Sequence, residues 1–473
     1  MRRQPLLLLL ATGFIFNACK VSKDIALPEN ASPANYRHAT STVTTTDTSS
    51  LASIPWNDFF KNRELQQLID STLANNFDMQ IALKNREAAQ LLLKQSRLAY
   101  LPQVGLQAAG SVNRPSDNSL NGISLSQFLG KSYVEDYSLN ATASWEADIW
   151  GKIKSQQSKA LAIYLQTDEA KKAVRTDLVA SAAKGYYQLL MLDEQLAIAK
   201  KNLLLSDSTL SIVKLQYQSG QVTALAVQQY TAQYLAAKEL VPNLEKEILL
   251  GENYLSVLSG MAPGAIKRSG NIYERIASVE SSTGIPSALL SNRPDVKLKE
   301  LDLVIANANT AIAKAAMYPS LGITATGGVN AFLASNWFSI PASLFVTTVA
   351  GITQPLFMQG KLKTQYHVSE LEREKTVIAF RQSVVRAAGE VSNALVKIEK
   401  IKEQQHIAQT RVATLQQGIG NAKMLFANGM ANYLEVITAQ NNVLLGELAL
   451  AQLQEEQSTA VIELYRSLGG GWR

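Results

Sequence analysis

The stretch YLPQVGLQAAGSVN at residues 100–113 ends a segment whose apolar spacing is helical from about Asn62 to Ala99. After Pro102, every second position is apolar or small: Val104, Leu106, Ala108, Gly110 and Val112. Polar residues stand between them at Gln103, Gln107, Ser111 and Asn113. Proline interrupts a helix because it lacks an N–H group, and alternation with period two is typical of a strand. The stretch therefore predicts a change from helix to β-strand.

A second alternating segment follows, and the two together predict a β-hairpin. DYSLNATASWEADIW (136–150) comes after the polar run RPSDNSLNGISLSQ (114–127), which we interpret as the loop between the strands. Each strand has about ten residues, the length that a tilted strand needs to cross a bilayer. An amphipathic hairpin in a water-soluble sheet gives the same pattern, so alternation alone leaves both interpretations open.

The hairpin occurs twice. MYPSLGITATGGVN (317–330) repeats the opening stretch 217 positions later, and SLFVTTVAGITQPLF (343–357) supplies its return strand. Farther on, WGKIK (150–154) matches QGKLK (359–363) and YQSG (217–220) matches FANG (426–429), both at an offset of 209. The two intervening segments predict helices of equal length, about 100 Å each. The chain is therefore predicted to be an internal duplication.

Both long segments carry heptad repeats, which predict coiled-coil packing with a left-handed supercoil. The first seam, with Ser206 as its polar exception, consists of Leu189, Leu192, Leu196, Ala199, Leu203, Leu210 and Val213. The second seam, interrupted by Gln405, consists of Val377, Phe380, Val384, Ala387, Val391, Ala394, Ile398, Ile401, Ala408, Val412, Leu415 and Ile419.

The N-terminus predicts export. Two arginines precede an apolar run, Leu6–Phe16, that is too short to span a membrane as a helix, and Cys19 is the single cysteine of the chain. A cysteine at the cleavage point is typical of a bacterial lipobox, in which Cys19 is lipidated and becomes the mature N-terminus. An ordinary signal peptide with an incidental cysteine is the alternative. In both cases the protein leaves the cytoplasm.

These boundaries predict the domain organisation. We expect a signal peptide at 1–18, a lipid-anchored N-terminal linker at 19–61, and structural repeats at 62–290 and 291–473. The first repeat comprises a helix, a β-hairpin at 102–149, a long helix at 152–216, a tip turn at 217–225, a returning helix to 258 and a connector. The second comprises a helix, a β-hairpin at 319–357, a long helix at 361–425, a tip turn at 426–435 and a returning helix to 468.

Composition and motifs give little support for catalysis. The three histidines, His38, His367 and His406, are far apart, and no phosphate-binding glycine-rich loop precedes a Lys-Ser/Thr pair. The net charge of +6 is small for 473 residues, with basic and acidic residues interspersed, so a nucleic-acid partner is not expected. We predict no enzyme, no catalytic residues, no metal site and no cofactor.

Four strands in one chain cannot close a membrane barrel, because such barrels begin at about eight strands and lipid does not tolerate open sheet edges. If the strands cross a bilayer, several copies must share one barrel, and three copies supply twelve strands. The fold expected is mostly α with transmembrane β. If three copies take part, the four β-strands per chain complete a trimeric 12-stranded β-barrel, and the long coiled-coil helices form a matching α-helical barrel.

Several motifs carry a family resemblance over residues 55–473: SWEADIWGKIK, SNRPDV (291–296), QPLFMQGK (354–361), YQSGQVTALAV, FANGMANYLEVITAQ and SLGGGW. The chain resembles the TolC-like outer membrane efflux proteins, and its lipobox and Gly-rich end are most similar to the NodT/OprM-type RND lipoproteins. The resemblance implies a homotrimer in the cell outer membrane, lipid-anchored and extending into the periplasm. The implied partners are outer-membrane lipid, a periplasmic adaptor (membrane fusion) protein and an inner-membrane RND pump.

The resemblance also implies functional positions. Both tip turns match the periplasmic ends at which the adaptor binds, and the matching residues are Tyr217, Gly220, Val222, Leu225, Phe426, Gly429 and Leu434. Glu435 matches an acidic position at the constriction and is the predicted gate residue. Thr438 and Ala226 stand where other family members have acids, so a thinner gate network is expected. For the two glycines, helix C-caps are the alternative, and for Glu435 a solvated carboxylate.

The predicted function is a passive outer-membrane exit duct of a tripartite efflux system that conducts small molecules such as drugs or other toxic compounds. A duct for type I protein secretion is the nearest alternative. A trimeric coiled-coil surface protein would gather its strands at the C-terminus, whereas both hairpins here are internal. A lipid-anchored periplasmic enzyme would need a catalytic cluster that the sequence does not offer.

Overall fold

The computed structural model describes residues 21–26, 28, 51–270, 272 and 289–473, and for residues 289 and 290 only the backbone. The predicted signal peptide and Cys19 lie outside this part of the chain. The chain forms two compact units. The sheet unit comprises 1–27, 88–165 and 301–378, and the helical unit comprises 28–87, 166–300 and 379–473.

The first repeat, together with the short segment before it, contains six α-helices and two strands among the described residues. Its helices are α1 (Trp56–Phe59), α2 (Arg63–Asn75), α3 (Phe77–Leu98), α4 (Leu120–Leu129), α5 (Lys152–Gln218) and α6 (Ala224–Leu258), and its strands are β1 (Gln103–Asn113) and β2 (Val134–Ala147). The second repeat has helices α7 (Leu289–Asn292), α8 (Pro294–Ala315), α9 (Lys361–Ala427) and α10 (Tyr433–Ser467), and strands β3 (Ser320–Ala331) and β4 (Leu344–Thr353). Short 3₁₀ turns occur at Leu51–Ser53 and Ala334–Asn336.

The duplication extends to the length of each helix. Helices α3 and α8 both have 22 residues, α5 and α9 both have 67, and α6 and α10 both have 35. Both long helices extend two residues beyond the predicted ends at 216 and 425, because each continues to the residues just before the turn glycine. Equal lengths give each residue of these helices an equivalent in the other repeat, at an offset of 217 for α3 and of 209 for α5 and α6.

The four strands form one antiparallel sheet in the order β1-β2-β3-β4. Leu106 lies opposite Ala141, which lies opposite Gly327, which lies opposite Val346. Strands β1 and β4 are the edges, so within the described part of the chain each pairs on one side only.

The helical unit is held by the predicted heptad seams. On α9, Phe380, Val384, Ala387, Val391 and Ala394 are all buried. Gln405 interrupts the seam as a buried polar residue, and its amide donates a 3.0 Å hydrogen bond to the Leu453 carbonyl oxygen. A polar residue with a partner is tolerated in the seam because its hydrogen bond offsets the cost of burial.

The prediction that the N-terminal linker extends to residue 61 is wrong for the last residues of that range. Trp56, Phe59 and Phe60 are buried, and the Phe59 ring stacks on Tyr465 with centroids 4.1 Å apart. The Tyr465 hydroxyl donates a 2.6 Å hydrogen bond to the Ile54 carbonyl oxygen. Three aromatic side chains bury enough apolar surface to offset the ordering of this short segment, so it belongs to the core.

The polar run between β1 and β2 was predicted to be a loop. It contains helix α4 as well. The Ser119 side chain accepts a hydrogen bond from Gly122 N at the N-terminus, and Gly130 ends the helix with a φ of 60°. A capping serine and a left-handed glycine delimit one short helix inside a stretch whose composition is that of a turn.

Helix α8 begins just after Arg293, with Asp295 in its first turn. Pro294 is the first residue of α8, where its missing N–H costs nothing.

Among the helices of the described residues, none combines the length and apolarity needed to cross a membrane.

Candidate functional site

The sheet presents one apolar and one polar face. Because side chains alternate along each strand and the strands pair directly opposite, residues in register share a face. The apolar face comprises Val104, Leu106, Val112, Leu139, Ala141, Trp145, Ile323, Val329, Leu344, Val346 and Ile352, with Glu135 and Thr348 as polar exceptions. The opposite face carries Gln103, Gln107, Asn140, Thr142, Ser144, Thr324, Thr326, Asn330 and Thr347, with Phe345 and Val349 as apolar exceptions. The sheet therefore suits an apolar medium on one side and water on the other.

Polar contacts on the second face join neighbouring strands. The hydroxyls of Thr142 and Thr326 lie 3.1 Å apart, and the Asn330 amide donates a 2.7 Å hydrogen bond to the Asp136 carboxylate. These cross-strand pairs specify the register, because a shift by one residue would exchange the two faces.

Two tryptophans, one near the end of β2 and one just after it, donate hydrogen bonds to backbone carbonyl oxygens near the boundary between strand and helix. The Trp145 indole N–H donates to the Tyr100 carbonyl oxygen at 2.9 Å, and that of Trp150 donates to the Pro319 carbonyl oxygen at 2.6 Å. Asp148 accepts hydrogen bonds from the backbone N–H groups of Ile153 and Lys154, both at 2.9 Å, and so caps α5. The change from strand to helix is thus fixed by side-chain contacts.

Both tip turns are built by the same glycine motif. After α5, Gln221 N donates to Gln216 O at 2.8 Å and Gly220 N donates to Tyr217 O at 3.0 Å. After α9, Met430 N donates to Leu425 O at 2.9 Å and Gly429 N to Phe426 O at 3.0 Å. Gly220 has a φ of 75° and Gly429 of 71°. These are Schellman C-caps, so the left-handed backbone itself requires glycine at both positions.

The remaining predicted tip residues differ in exposure. Tyr217, Leu225 and Leu434 are exposed, whereas Phe426 is half-buried. Val222 packs against a small cluster formed by Leu210, Val213, Ala226 and Tyr230. Val222 therefore contributes to the packing of the first tip as well as to its surface.

Glu435 lies in the first turn of α10, where Asn432 accepts hydrogen bonds from the backbone N–H groups of Leu434 and Glu435 at 2.9 and 3.1 Å. The Glu435 side chain is exposed, and the described residues give it no ion pair. It lines a groove of about 530 Å³ together with Thr414, Gly418, Leu434, Thr438 and Asn442. The groove lies between α9 and α10 at the second tip.

The sequence did not reveal the contacts that join the two repeats near the tips. Tyr230 on α6 is buried, and its hydroxyl donates a 3.3 Å hydrogen bond to the Tyr433 carbonyl oxygen at the start of α10. Burial raises the pKa of the Tyr230 hydroxyl to about 12, so it remains a donor. Gln440, also buried, donates to the Thr209 hydroxyl at 3.3 Å. The available signal for this region was Ser206, the polar exception in the first heptad seam, three positions before Thr209.

Farther from the tips, ion pairs join the repeats and hold the connector. Glu463 on α10 accepts from Lys184 on α5 at 3.0 Å and from Lys397 on α9 at 2.9 Å. Burial opposes ionisation of Glu463, but the two lysine hydrogen bonds lower its pKa below 4.5.

In the connector, Arg268 binds Asp193 at 2.8 Å and also Glu252. This pair of carboxylates holds residues 261–270 against helices α5 and α6.

Arg293 shows how one position acquires different chemistry in the two repeats. Its guanidinium binds Asp295 at 2.6 Å and Glu390 at 2.8 Å, and it donates to the Ser467 carbonyl oxygen at 3.1 Å. Its equivalent in the first repeat is Asn76, whose amide donates to the Leu258 carbonyl oxygen at 2.8 Å. Both side chains cap the returning helix of their repeat, so we assign Arg293 a structural role.

None of these arrangements is a catalytic constellation of nucleophile and base. Within the residues that the structure describes, no three His, Cys, Asp or Glu side chains are grouped so as to hold a metal ion.

Comparisons with known proteins agree with this geometry. The model of the outer membrane efflux protein family matches residues 68–261 and 285–470. The cation efflux system protein CusC of Escherichia coli O6:H1 is 26% identical over 419 residues, which are 88% of each chain. The pyoverdine export outer membrane protein OpmQ of Pseudomonas putida is 29% identical over 421 residues, again 88% of each chain.

Solved structures share the fold. A crystal structure of CusC has a TM-score of 0.84 at 24% identity, covering 95% of this chain and 100% of that chain. The open MtrE outer membrane channel of Neisseria gonorrhoeae has a TM-score of 0.84 at 22% identity, covering 96% of this chain and 99% of that chain. The expected fold class, mostly α with four strands per chain in two repeats, is confirmed. With the family model matched across both repeats, the chain belongs to the outer membrane efflux protein family.

Proposed function

We propose that the chain is one protomer of a homotrimeric exit duct in the outer membrane. The duct passively conducts small molecules, such as drugs or other toxic compounds, from a periplasmic adaptor and an inner-membrane RND pump to the exterior. The chain supplies four of twelve barrel strands, and its long helices supply two of six hairpins in an α-helical barrel that extends into the periplasm.

The observation that carries this proposal is the two-faced sheet with unpaired edges. Its apolar face suits lipid and its polar face suits a water-filled bore. The outer edges of β1 and β4 have no partner strand among the described residues, and backbone groups left unpaired in lipid cost several kcal/mol each, on the order of a lost hydrogen bond in an apolar medium. Edge-to-edge pairing of β4 in one copy with β1 in the next removes every edge when the ring closes.

The N-terminal segment supports a lipid anchor at Cys19 close to the sheet unit. The Asn307 amide accepts from Ile25 N and donates to Ile25 O, both at 3.1 Å, and Arg373 donates to Lys23 O at 3.1 Å. Ile25 lies six positions after Cys19, a reach of about 20 Å at most. A lipid on Cys19 would therefore be tethered near the part of the chain that enters the membrane.

The tips supply the periplasmic end of the proposal. Tyr217, Leu225 and Leu434 are exposed beside the glycine turns and offer an apolar contact for an adaptor. Three copies of Glu435 would place three carboxylates around the axis, where they favour cations and oppose closure while ionised. We propose these residues as the adaptor contact and the gate.

The names of the relatives support the proposal that this duct conducts small molecules, but they do not identify its own cargo. CusC is named for cation efflux, OpmQ for pyoverdine export and TtgC of Pseudomonas putida for toluene efflux, at 27% identity over 99% of this chain. These cargoes share little chemistry except small size. Cargo choice therefore belongs to the pump rather than to this duct, and a protein-secretion duct is the alternative to test.

The first test is the mass and location of the full-length protein after gentle detergent extraction. A detergent-requiring outer-membrane complex of three chains, with ion conductance in planar bilayers, is the expected result. A monomer released without detergent would refute the duct. Deletion of the gene should sensitise the cell to small toxic compounds, whereas loss of a secreted protein instead would favour the secretion duct.

A further inference from the structure

We infer that the helix end of the sheet unit carries a cationic belt that binds the headgroups of anionic phospholipids in the adjoining membrane leaflet. The belt consists of three pairs of equivalent residues, one member in each repeat: Arg97 and Lys314, Lys152 and Lys361, and Lys154 and Lys363. The inference rests on the membrane duct proposed above and adds which class of lipid meets the boundary between strand and helix, and through which residues.

Charge is distributed unequally between the two ends of the sheet. The helix end consists of the four segments that flank the strands, 88–101, 149–165, 303–322 and 354–369. These segments contain eight lysines and arginines and no aspartate or glutamate. At the loop end, residues 114–136 contain two basic and three acidic residues, and residues 332–343 contain neither. An anionic surface is therefore attracted to the helix end and not to the loop end.

The duplication places lysines at the same positions of both long helices. Lys152 and Lys361 are the first residues of α5 and α9, and Lys154 and Lys363 stand in the same first turns. Cations at this end of a helix oppose its dipole, so the stability of the helices does not account for the lysines. The last turns of α3 and α8 favour a cation by themselves, so the four lysines carry the argument for an anionic partner.

Most of the belt has no carboxylate partner among the described residues. Lys152 has an ion pair there, with Glu146 at 2.9 Å, whereas the other five cations have none. The exposed members of the belt are Arg97, Lys154, Lys361 and Lys363. Their charges are therefore available to a phosphate group outside the chain.

One side of α8 and α9 carries the belt and also holds the N-terminal segment. Asn307 binds Ile25 through two 3.1 Å hydrogen bonds, and Lys314 follows Asn307 by seven residues, two turns along α8. The Lys314 ammonium group lies 5.7 Å from the centre of the Tyr366 ring on α9, and Lys363 precedes Tyr366 by about one turn. The N-terminal segment leads to the proposed lipid anchor, so this side faces lipid rather than the bore.

Exposed apolar side chains accompany the cations. Leu101, four residues after Arg97, is 60% exposed, and Leu356 and Phe357, between β4 and α9, are 92% and 84% exposed. Apolar and basic side chains together suit the interface between acyl chains and headgroups, because the apolar groups enter the chains and the cations reach the phosphates. The belt thus continues the apolar face of the sheet at the level where headgroups begin.

Quenching of tryptophan fluorescence by brominated lipids tests the inference on the full-length protein in vesicles. Trp145 and Trp150 bind backbone near the boundary and report on lipid there, and a Trp337→Phe background removes the tryptophan of the loop end. Phosphatidylcholine vesicles contain increasing fractions of brominated phosphatidylglycerol or brominated phosphatidylcholine. At low salt, phosphatidylglycerol should be favoured at least about fivefold in relative binding constant, and high salt should reduce this preference.

Two variants with equal loss of charge locate the effect. The belt variant combines Arg97→Gln, Lys154→Gln, Lys314→Gln and Lys363→Gln. It should be quenched equally by the two lipids. The matched control, on α5 and α9 outside the four segments, combines Lys201→Gln, Lys214→Gln, Lys402→Gln and Lys423→Gln. It should keep the preference. If the belt variant does not assemble, the unmodified protein decides, because a preference that is absent or unaffected by salt would overturn the inference.

The outcomes separate this inference from the proposed function. A three-chain complex that enters vesicles and conducts ions without preferring phosphatidylglycerol would overturn the inference and leave the duct intact. Equal losses of preference in the belt variant and the control would do the same. A belt variant with an altered reversal potential and an unaltered lipid preference would place the cations in the bore and would also overturn the inference. A protein that does not enter vesicles would overturn both.

Discussion

The Tyr230 hydroxyl donates a hydrogen bond to the Tyr433 carbonyl oxygen at 3.3 Å and thereby ties the first tip to the second. Tyr230 also belongs to the cluster of Leu210, Val213 and Ala226 beneath the first turn. The two turns that form the proposed entrance are therefore coupled within one chain, and loss of this bond should loosen the entrance.

Tyr230→Phe should destabilise the tip by about 0.5–1.5 kcal/mol, the usual net contribution of one hydrogen bond, and should leave the apolar cluster intact. More frequent opening in single-channel recordings is the expected readout. Tyr234→Phe is the control, since Tyr234 packs partly buried against the same cluster. Identical recordings from the two variants would contradict a specific role of the bond.

Glu435→Gln should reduce the preference for cations, because the variant removes three carboxylates from the proposed constriction of the trimer. The reversal potential in a potassium chloride gradient measures this preference. Asp207→Asn removes the same number of charges from an exposed site on α5 and should leave the reversal potential nearly unchanged. A shift of similar size in the control would show that overall charge, not the position of Glu435, is responsible.

Gly220→Ala and Gly429→Ala should each lower the free energy of unfolding by about 1–2 kcal/mol, because alanine is strained at φ values of 75° and 71°. Space is not the cause, since a Cβ atom at either position meets no atom within 4 Å. Gly420→Ala, inside α9 and equally unobstructed, should instead be neutral or stabilising. Thermal melting of the detergent-solubilised protein distinguishes these outcomes.

The protein should become less stable as the pH falls, in part because the Glu463 carboxyl becomes protonated. Its pKa is lowered in the folded state, so its contribution is complete above the ordinary value of 4.5 and is lost as the pH falls through the lower folded value. Melting temperatures between pH 6 and pH 3 should therefore fall less in Glu463→Gln than in the unmodified chain. Parallel curves would show that the two lysine pairs contribute little to acid stability.

Much of the fold was predictable because it depends on local period and covalent spacing. The alternation after Pro102 specified the strands and their two faces, and the repeated glycines specified turns at Gly220 and Gly429, since only the left-handed conformation closes those helices. The 209-residue offset specified two arms of equal length. The helix Leu120–Leu129 was missed because a few polar turn residues outweighed its serine cap.

The tertiary structure alone decided which distant residues meet. No periodicity indicates that Tyr465 binds Ile54, that Asn307 binds Ile25, or that Arg268 joins Asp193 and Glu252. Nor does it indicate which of two equivalent leucines is buried: Leu444 is buried, whereas Leu235, 209 positions before it, is exposed. A heptad shows that a face is apolar, whereas the identity of its partner depends on how the helices pack in three dimensions.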